Sequence, residues 1–461
     1  MTLKKSQIAK ALSVAIIGSS VALMGCEKAE IKSDTTVTQA PQKQESLTRN
    51  KSESLEAVYA EMRAKQVSNV SYKLNVTIDN KSESFSGSTE LMFDLAKNNQ
   101  NDLTIDFDEG TVKSLKVNGK EVKFSYEKWF ITIPASELTT GKQSITIDYE
   151  RPYSTDGSGF HRFVDPKNGE VYLYTDFEPY DANRLFPHFD QPDLKASYEI
   201  EVTAPAHWQI ISATRETNIS ENGDTKVWSF PASAKFSSYV FSLHAGNYAV
   251  WEDDFEGMKL RLFARQSLSE YVKTDEWFIP TKQSFAFFNK YFEVKYPFGK
   301  YDQVVAPDFN AGAMENVAAV TFNEGYISRG EKSTSARMSL ANVIAHEMAH
   351  MWFGDLVTMR WWNGLWLNES FATFMATKFV DKFYPEWDLW NQFVEDAMNV
   401  AMGLDSLKTT HPIDVKVNSP AEIREIFDAI SYDKGGCVLR MLENYVGEPN
   451  FQKGLKKYLS D

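Results

Sequence analysis

The first half of the chain is dominated by short segments in which apolar and polar residues alternate. The clearest segment places an apolar residue at every second position, in the order Val70, Tyr72, Leu74, Val76 and Ile78. A period of two is typical of a β-strand with one face buried and the other in water. Because similar short segments recur as far as residue 248, we expect residues 46–248 to form an all-β domain, a sandwich.

A β-hairpin is predicted within this domain at Asn118-Gly119. The dipeptide favours the tight turn that joins two antiparallel strands, and the strand-like segments Val112–Val117 and Val122–Tyr126 flank it. Two further strands are expected at Phe130–Ile133 and Ser144–Tyr149.

Beyond residue 248 the apolar residues follow helical spacing. Aromatic residues recur three or four positions apart between Phe285 and Phe292, which predicts an amphipathic helix. Ser335–Phe353 and Glu369–Phe383 are the next long helical segments. We therefore expect residues 249–461 to form a mainly helical domain, so that the chain is an α+β multidomain protein.

The N-terminus has the pattern of a targeting segment. Basic residues precede a 15-residue, mostly apolar stretch, Ala11–Gly25, which is short for a hydrocarbon core of about 30 Å. Residues 1–25 resemble the signal peptide of a bacterial lipoprotein, and this resemblance implies that Cys26 is acylated. Residues 26–45 are polar and predict a flexible tether. An ordinary cleaved signal with an incidental cysteine is the alternative.

Composition excludes several classes of protein. The 461 residues, 43% of them apolar, suffice for a large core. Lysine and arginine number 49 against 63 acidic residues, for a net charge of −14, and no basic stripe appears, so a nucleic-acid partner is not expected. With two cysteines, Cys26 and Cys437, the chain has no disulfide framework.

The sharpest chemical pattern is His346-Glu347-Met348-Ala349-His350. On a helix the two histidines lie one turn apart on the same face, so both imidazoles can reach one cation. Glu347 projects beside that face, where it can take a proton from a metal-activated water. The pattern predicts a catalytic metal site, against the alternative of a helix with two surface histidines.

A catalytic zinc site usually has three protein ligands and leaves a position for water. Glu369 is a candidate for the third ligand, since it follows His350 after 18 intervening residues, near the start of the next predicted helix. This spacing resembles that of the zinc aminopeptidases of the aminopeptidase N family. The resemblance implies one Zn²⁺ per chain, held by His346, His350 and Glu369, with Glu347 as general base.

A second motif supports the same resemblance. Gly312-Ala313-Met314-Glu315-Asn316 matches the exopeptidase motif of the family. Its backbone could pair with an extended peptide. A free α-amino group has a pKa of about 7.7–8.0 and is largely cationic at neutral pH, so Glu315 at the closed end of a groove would bind it.

Two single residues complete the predicted site. Glu178, in Thr-Asp-Phe-Glu-Pro, matches the second acid that binds the substrate amine in the family. Tyr432 matches the catalytic tyrosine of the family, which would donate a hydrogen bond to the oxyanion of the transition state. Asp355 and Asn368 are candidates for orienting the zinc ligands.

The resemblance also implies an architecture. A saddle-like β domain is expected to precede a thermolysin-like catalytic domain. Family members continue into a long helical domain, which we expect to be missing here. The last predicted helix carries four apolar residues on one face, which we expect to need a partner that the chain does not supply. These residues are Phe451, Leu455, Tyr458 and Leu459.

The sequence thus predicts a zinc-dependent aminopeptidase acting on peptides with a free N-terminus. The lipoprotein signal implies a membrane-anchored protein of the bacterial cell envelope, facing the periplasm or the exterior. A bifunctional epoxide hydrolase and aminopeptidase on the same scaffold is one alternative. A catalytically impaired, membrane-tethered peptide-binding module is another. The preferred N-terminal residue and the oligomeric state stay open.

Overall fold

The computed structural model describes residues 47–97 and 99–461. The predicted signal peptide, the predicted tether and Cys26 therefore lie outside the described residues. Among the helices of the described ranges, none has the length and apolar character needed to cross a membrane.

The β-rich half begins with a helix, α1 (Ala57–Gln66), and continues as strands. In chain order these are β1 (Val67–Thr77), β2 (Ser84–Leu95), β3 (Leu103–Asp106), β4 (Thr111–Val117), β5 (Lys120–Glu121), β6 (Ser125–Tyr126), β7 (Phe130–Ile133), β8 (Gly141–Pro152), β9 (Gly159–Val164), β10 (Val171–Asp176), β11 (Ser197–Pro205), β12 (Gln209–Ser212), β13 (Asn218–Asn222), β14 (Thr225–Phe230) and β15 (Leu243–Gly246).

These strands form three sheets around a shared apolar core. The largest has eight strands in the order β13-β14-β11-β1-β2-β8-β4-β5, and the others are β12-β15-β10-β9 and β3-β7-β6. The alternation in β1 is confirmed, because its predicted inward residues from Val70 to Val76 are each at most 2% exposed. Residues of β1, β2 and β8 enter the same core as residues of β10 and β11.

The predicted hairpin is confirmed at its turn but not along its second strand. Val117 pairs with Lys120 across Asn118 and Gly119, whose φ values of 49° and 79° suit a tight hairpin turn. The expectation of a continuous strand at Val122–Tyr126 was wrong. The strand ends at residue 121 because Tyr126 instead packs against Phe107 and pairs with β7 in another sheet.

The second half combines one sheet with helices. Its strands are β16 (Tyr248–Phe255), β17 (Met258–Arg265), β18 (Tyr301–Ala306), β19 (Ala313–Met314) and β20 (Ala319–Asn323), and its helices are α2 (Asp275–Phe292), α3 (Thr334–His350), α4 (Leu365–Phe383), α5 (Leu389–Gln392), α6 (Asn399–Asp405), α7 (Gly435–Val446) and α8 (Glu448–Ser460). The sheet order is β16-β17-β18-β20-β19. The prediction of a β-rich half followed by a helical half is confirmed.

The helix α3 starts where its sequence provides a cap. The hydroxyl of Ser333 accepts a hydrogen bond from the backbone N–H of Ala336 at 3.2 Å, which satisfies one of the free donors of the first turn. The helix α4 begins four residues earlier than predicted, at Leu365, whose side chain is 1% exposed. The two helices pack together in one apolar core.

The expectation about the terminal helix was wrong for three of its four apolar residues, since only Tyr458 is exposed, at 42%. Phe451, Leu455 and Leu459 of α8 are at most 6% exposed and join the core formed by α2, α3 and α4. The ring of Phe451 lies 5.6 Å from that of Phe374 in α4. The face is covered because the chain turns at Gly447 and folds α8 back onto these helices.

Candidate active site

Two histidines face each other on the last turn of α3. The Nε2 atoms of His346 and His350 lie 3.0 Å apart. The Nδ1 of His350 lies 3.0 Å from the carbonyl oxygen of Phe353, to which only an N–H can donate. In its neutral form His350 would therefore direct the lone pair of Nε2 towards His346, as a metal ligand does.

Glu369 reaches the same point from α4. Its Oε2 lies 3.2 Å from Nε2 of His346 and 3.4 Å from Nε2 of His350. It is 3% exposed, as the fifth residue of a helix whose start is buried. Two imidazole nitrogens and one carboxylate oxygen thus converge, which is a donor set that suits Zn²⁺ with a position left open.

The charges around this point favour cations. Burial raises the pKa of Glu369, but the charge and hydrogen bonds of the two histidines outweigh burial and lower this pKa to about 2. Burial lowers the pKa of His350, but Glu315 and Glu369 raise it more, so its net shift is upward. A divalent cation would compete with a proton for the lone pair on Nε2 of His350.

Glu347 lies in the same cleft, one residue after His346. It is 5% exposed, and its Oε2 has no hydrogen-bond partner among the described residues. Burial raises the pKa of Glu347 well above its usual range, and the charges of Glu315 and Glu369 add to this shift. Such a carboxylate accepts a proton readily, which suits a general base.

The two acids predicted to bind an amine come from different halves of the molecule. Glu178 follows β10 and Glu315 follows β19. Oxygen atoms of Glu178, Glu315 and Glu369 all lie within 4.8 Å of one another. Burial raises the pKa of both acids, and the charge of Glu315 raises that of Glu178 further, while the charge of Glu369 raises that of Glu315. A positive group between the two acids would therefore be stabilised.

The residues before Glu315 form an edge strand. Ala313 pairs with Phe322 and Met314 with Thr321 of β20, and β19 is the last strand of its sheet. A side chain at Gly312 would crowd the hydroxyl of Tyr326, since a Cβ there would lie 3.3 Å from it. The backbone of Gly312 to Met314 lines the cleft and leaves one edge free to pair with an extended chain.

Tyr432 lies on a helical turn, Ile430–Lys434, that leads into α7. Its ring is nearly parallel to that of His346, with the centroids 6.1 Å apart. Burial raises the pKa of Tyr432 well above its usual range, and the charges of Glu369, Glu178 and Glu315 add to the effect. The hydroxyl therefore keeps its proton and can donate a hydrogen bond into the cleft.

Neither Asn368 nor Asp355, the two candidates for orienting the metal ligands, forms a hydrogen bond with His346 or His350 among the described residues. The amide of Asn368 donates to the hydroxyl of Tyr239 at 3.0 Å. The carboxylate oxygens of Asp355 have no hydrogen-bond partner among the described residues. The group that orients His350 is the backbone carbonyl of Phe353, which residue identity cannot reveal.

All of the predicted site residues that the structure describes line one cleft of about 590 Å³. They are Glu178, Gly312, Ala313, Met314, Glu315, His346, Glu347, His350, Glu369 and Tyr432. The cleft also contains Asp176, Asp433 and Phe427, which the sequence analysis missed. The signal for Asp176 was its place two residues before Glu178, since alternate residues of an extended segment share a face.

Comparisons with known proteins identify related chains. The peptidase family M1 domain matches residues 279–461, and the peptidase M1 N-terminal domain matches residues 68–240. The chain is 38% identical to the aminopeptidase N of Streptomyces lividans over 410 residues, which cover 87% of this chain and 47% of that protein.

Two further relatives give similar identities and coverages. Identity is 36% over 366 residues to the aminopeptidase M1 of Arabidopsis thaliana, covering 78% of this chain and 41% of that protein. Identity is 37% over 361 residues to the tricorn protease-interacting factor F2 of Thermoplasma acidophilum, covering 78% and 45%. The chain spans about half the length of the curated relatives that it matches.

Proposed function

The chain belongs to peptidase family M1, and from this we propose that it is a zinc-dependent aminopeptidase that removes the first residue of peptides. The observation that carries the proposal is the convergence of His346, His350 and Glu369 beside Glu347, in a cleft whose acids can bind an amine.

The metal would be held by His346, His350 and Glu369, whose donor atoms already face one another. A zinc ion bound there would supply Lewis acidity towards the scissile carbonyl and would lower the pKa of a water molecule, so that this water could lose a proton and act as the nucleophile. Two other groups of potential ligands share residues with this one. Each of them includes at least two carboxylates to which the proposal gives another role, either binding the substrate amine or acting as the general base. The nitrogen-rich group fits zinc best.

Glu347 would move the protons of the reaction. It would accept a proton from the attacking water and then deliver one to the nitrogen of the leaving peptide. Its buried position excludes bulk water, so the proton stays on the carboxyl until the leaving group takes it.

Glu178 and Glu315 would determine where cleavage occurs. Both would bind the α-ammonium group of the substrate, because an ammonium there relieves the repulsion among the carboxylates of Glu178, Glu315 and Glu369. The backbone of β19 would pair with the following residues of the peptide. Only the bond after the first residue could then reach the metal centre.

The proposal can be tested with leucine 7-amido-4-methylcoumarin and its N-acetylated analogue. The zinc-loaded chain should hydrolyse the free amide, lose activity with 1,10-phenanthroline and regain it with zinc. Acetylation removes the cation that Glu178 and Glu315 bind, so the analogue should react at least about 100-fold more slowly. Equal hydrolysis of the two amides, or none by the zinc-loaded chain, would contradict the proposal.

Replacing Tyr432 by Phe should lower kcat by about 100- to 1,000-fold, because one donor to the developing oxyanion is lost. Zinc content should not change, since the hydroxyl is not a proposed ligand. Tyr445→Phe is the matched control, because Tyr445 is 89% exposed on α7. A Tyr432→Phe chain with the kcat of the unaltered protein would exclude this role.

We also propose that the chain is exported as a lipoprotein acylated at Cys26 and held at the membrane of a bacterial cell envelope. The support is the N-terminal sequence alone, in which three lysines precede an apolar stretch that ends in Leu-Met-Gly-Cys.

A further inference from the structure

The part of α3 that precedes the two histidines also lines the cleft. Ser339, Asn342 and Val343 belong to this lining but have no role in the proposed reaction. Asn342 precedes His346 by four residues, just as His346 precedes His350, so the three side chains lie on one face of α3. The Oδ1 atom of Asn342 is buried and has no hydrogen-bond partner among the described residues.

The amine-binding end of the cleft sets the direction in which a peptide would lie. The Oε1 atom of Glu315 lies 3.7 Å from Nδ1 of His350, and carboxylate oxygens of Glu178 and Glu315 lie within 4.8 Å of each other. The first residue of a substrate would therefore lie near the His350 end of the metal-binding face. The peptide beyond the scissile bond would then run past His346 towards Asn342.

The cleft continues in that direction. A second cavity of about 320 Å³ shares Gly312, Tyr326 and Ser339 with the lining of the cleft and extends to Ala336, nearer the start of α3. The two cavities together provide space along the first half of α3. A leaving peptide of several residues therefore has room to extend beyond the metal-binding residues.

Among the three residues without a role, Asn342 is the one suited to hold a peptide backbone. Val343 has an apolar side chain, and Ser339 lies about one further helical turn from His346. The amide of Asn342 is neutral, and its Oδ1 is a hydrogen-bond acceptor. A buried acceptor without a partner costs free energy, and a peptide N–H supplies the missing donor without bringing in a charge.

We propose that Asn342 binds the backbone of the leaving peptide, with Oδ1 accepting a hydrogen bond from the N–H of the third residue of the substrate. This inference rests on the proposed function. In an extended chain that N–H follows the scissile carbonyl by about 5 Å. One helical turn, which advances about 5.4 Å along the axis, separates Asn342 from His346. The two spacings are similar, so a carbonyl at the metal site brings this N–H to Asn342.

The experiment compares two substrates that differ at this N–H. They are Leu-Ala-Ala-Ala and the depsipeptide in which lactic acid replaces the third residue, so that an ester oxygen stands in place of the N–H. We expect the zinc-loaded chain to release leucine from the peptide with a kcat/KM about 5- to 10-fold higher than from the depsipeptide, as for one neutral hydrogen bond. In Asn342→Ala this ratio should fall to within about twofold of unity.

A substrate without a third residue separates binding of the leaving peptide from a structural role. The leucine coumarin amide has no such residue, so Asn342→Ala should hydrolyse it with a kcat/KM within about twofold of that of the unaltered chain. The Tm should not fall, because the variant removes a buried acceptor that has no partner. A lower Tm together with an equal loss of activity on the amide and the peptide would overturn the assignment.

Asn399→Ala is the matched control. Asn399 is exposed at the start of α6 and does not line the cleft. The preference for the peptide over the depsipeptide should therefore survive in this variant. Loss of the preference in Asn399→Ala but not in Asn342→Ala would contradict the inference.

The remaining outcomes separate the inference from the proposed function. If the unaltered chain cleaves the peptide and the depsipeptide equally well, the inference is wrong and the aminopeptidase stands. If no substrate is cleaved, the proposed function is wrong, and calorimetry with the two substrates on the zinc-loaded chain decides the inference. Only tighter binding of the peptide that disappears in Asn342→Ala supports it, and equal binding overturns it.

Discussion

Replacing Glu347 by Ala should lower kcat by about 100- to 10,000-fold while zinc stays bound. This decrease in kcat is expected because the variant lacks both the general base and the acid that returns the proton to the leaving amine. Glu347 is not among the three donors that converge on the metal, so the zinc content measured by atomic absorption should stay near one per chain. The rate is measured with the leucine coumarin amide at saturating substrate.

Two further variants make this result specific. Glu347→Gln keeps the shape of the side chain and should lose as much activity as Glu347→Ala. Glu331→Ala is the control, because the side chain of Glu331 is 84% exposed and lies outside the cleft. A metal-loaded Glu347→Ala chain that retained the kcat of the unaltered protein would remove Glu347 from the role of base.

Replacing Glu369 by Ala should abolish both zinc binding and activity. The two histidines would remain, but a site with two ligands holds zinc much more weakly than one with three. A ligand that binds only the folded state stabilises it by about 4 kcal/mol at a thousand times its Kd. Zinc should therefore raise the Tm of the unaltered chain and leave that of Glu369→Ala unchanged.

The control for this variant is Glu386→Ala, an exposed glutamate just beyond α4. It should bind zinc and gain thermal stability as the unaltered chain does. A Glu369→Ala chain that still contains one zinc and gains the same stability would show that the third ligand is a different residue.

Local patterns were sufficient for the parts of the site that lie close together in the chain. His346 and His350 share a helical face because their separation of four residues is close to one turn. The backbone of Gly312 to Met314 and the alternation of β1 likewise depend on neighbouring residues. These features follow from the geometry of a single element, which the sequence specifies directly.

Predictions that needed knowledge of packing were less successful. The apolar face of α8 was assigned no partner, yet it packs against α2, α3 and α4. The strand predicted at Val122–Tyr126 failed because Tyr126 pairs with Ile131 in a different sheet and packs against Phe107. Asp355 and Asn368 were plausible neighbours of the ligands by position, but among the described residues neither forms a hydrogen bond with the imidazoles.

By itself, the sequence determined the order of β-rich and helical halves and the identity of the residues that we propose to bind a metal ion and an amine. Periodicity and spacing encode these features because they act over a few residues. Only the tertiary structure decided that Glu178 reaches the cleft from the other half, that Phe353 orients His350 through its backbone, and that Asp176 lines the same cleft. Such distances depend on how distant segments pack, and no local pattern contains that information.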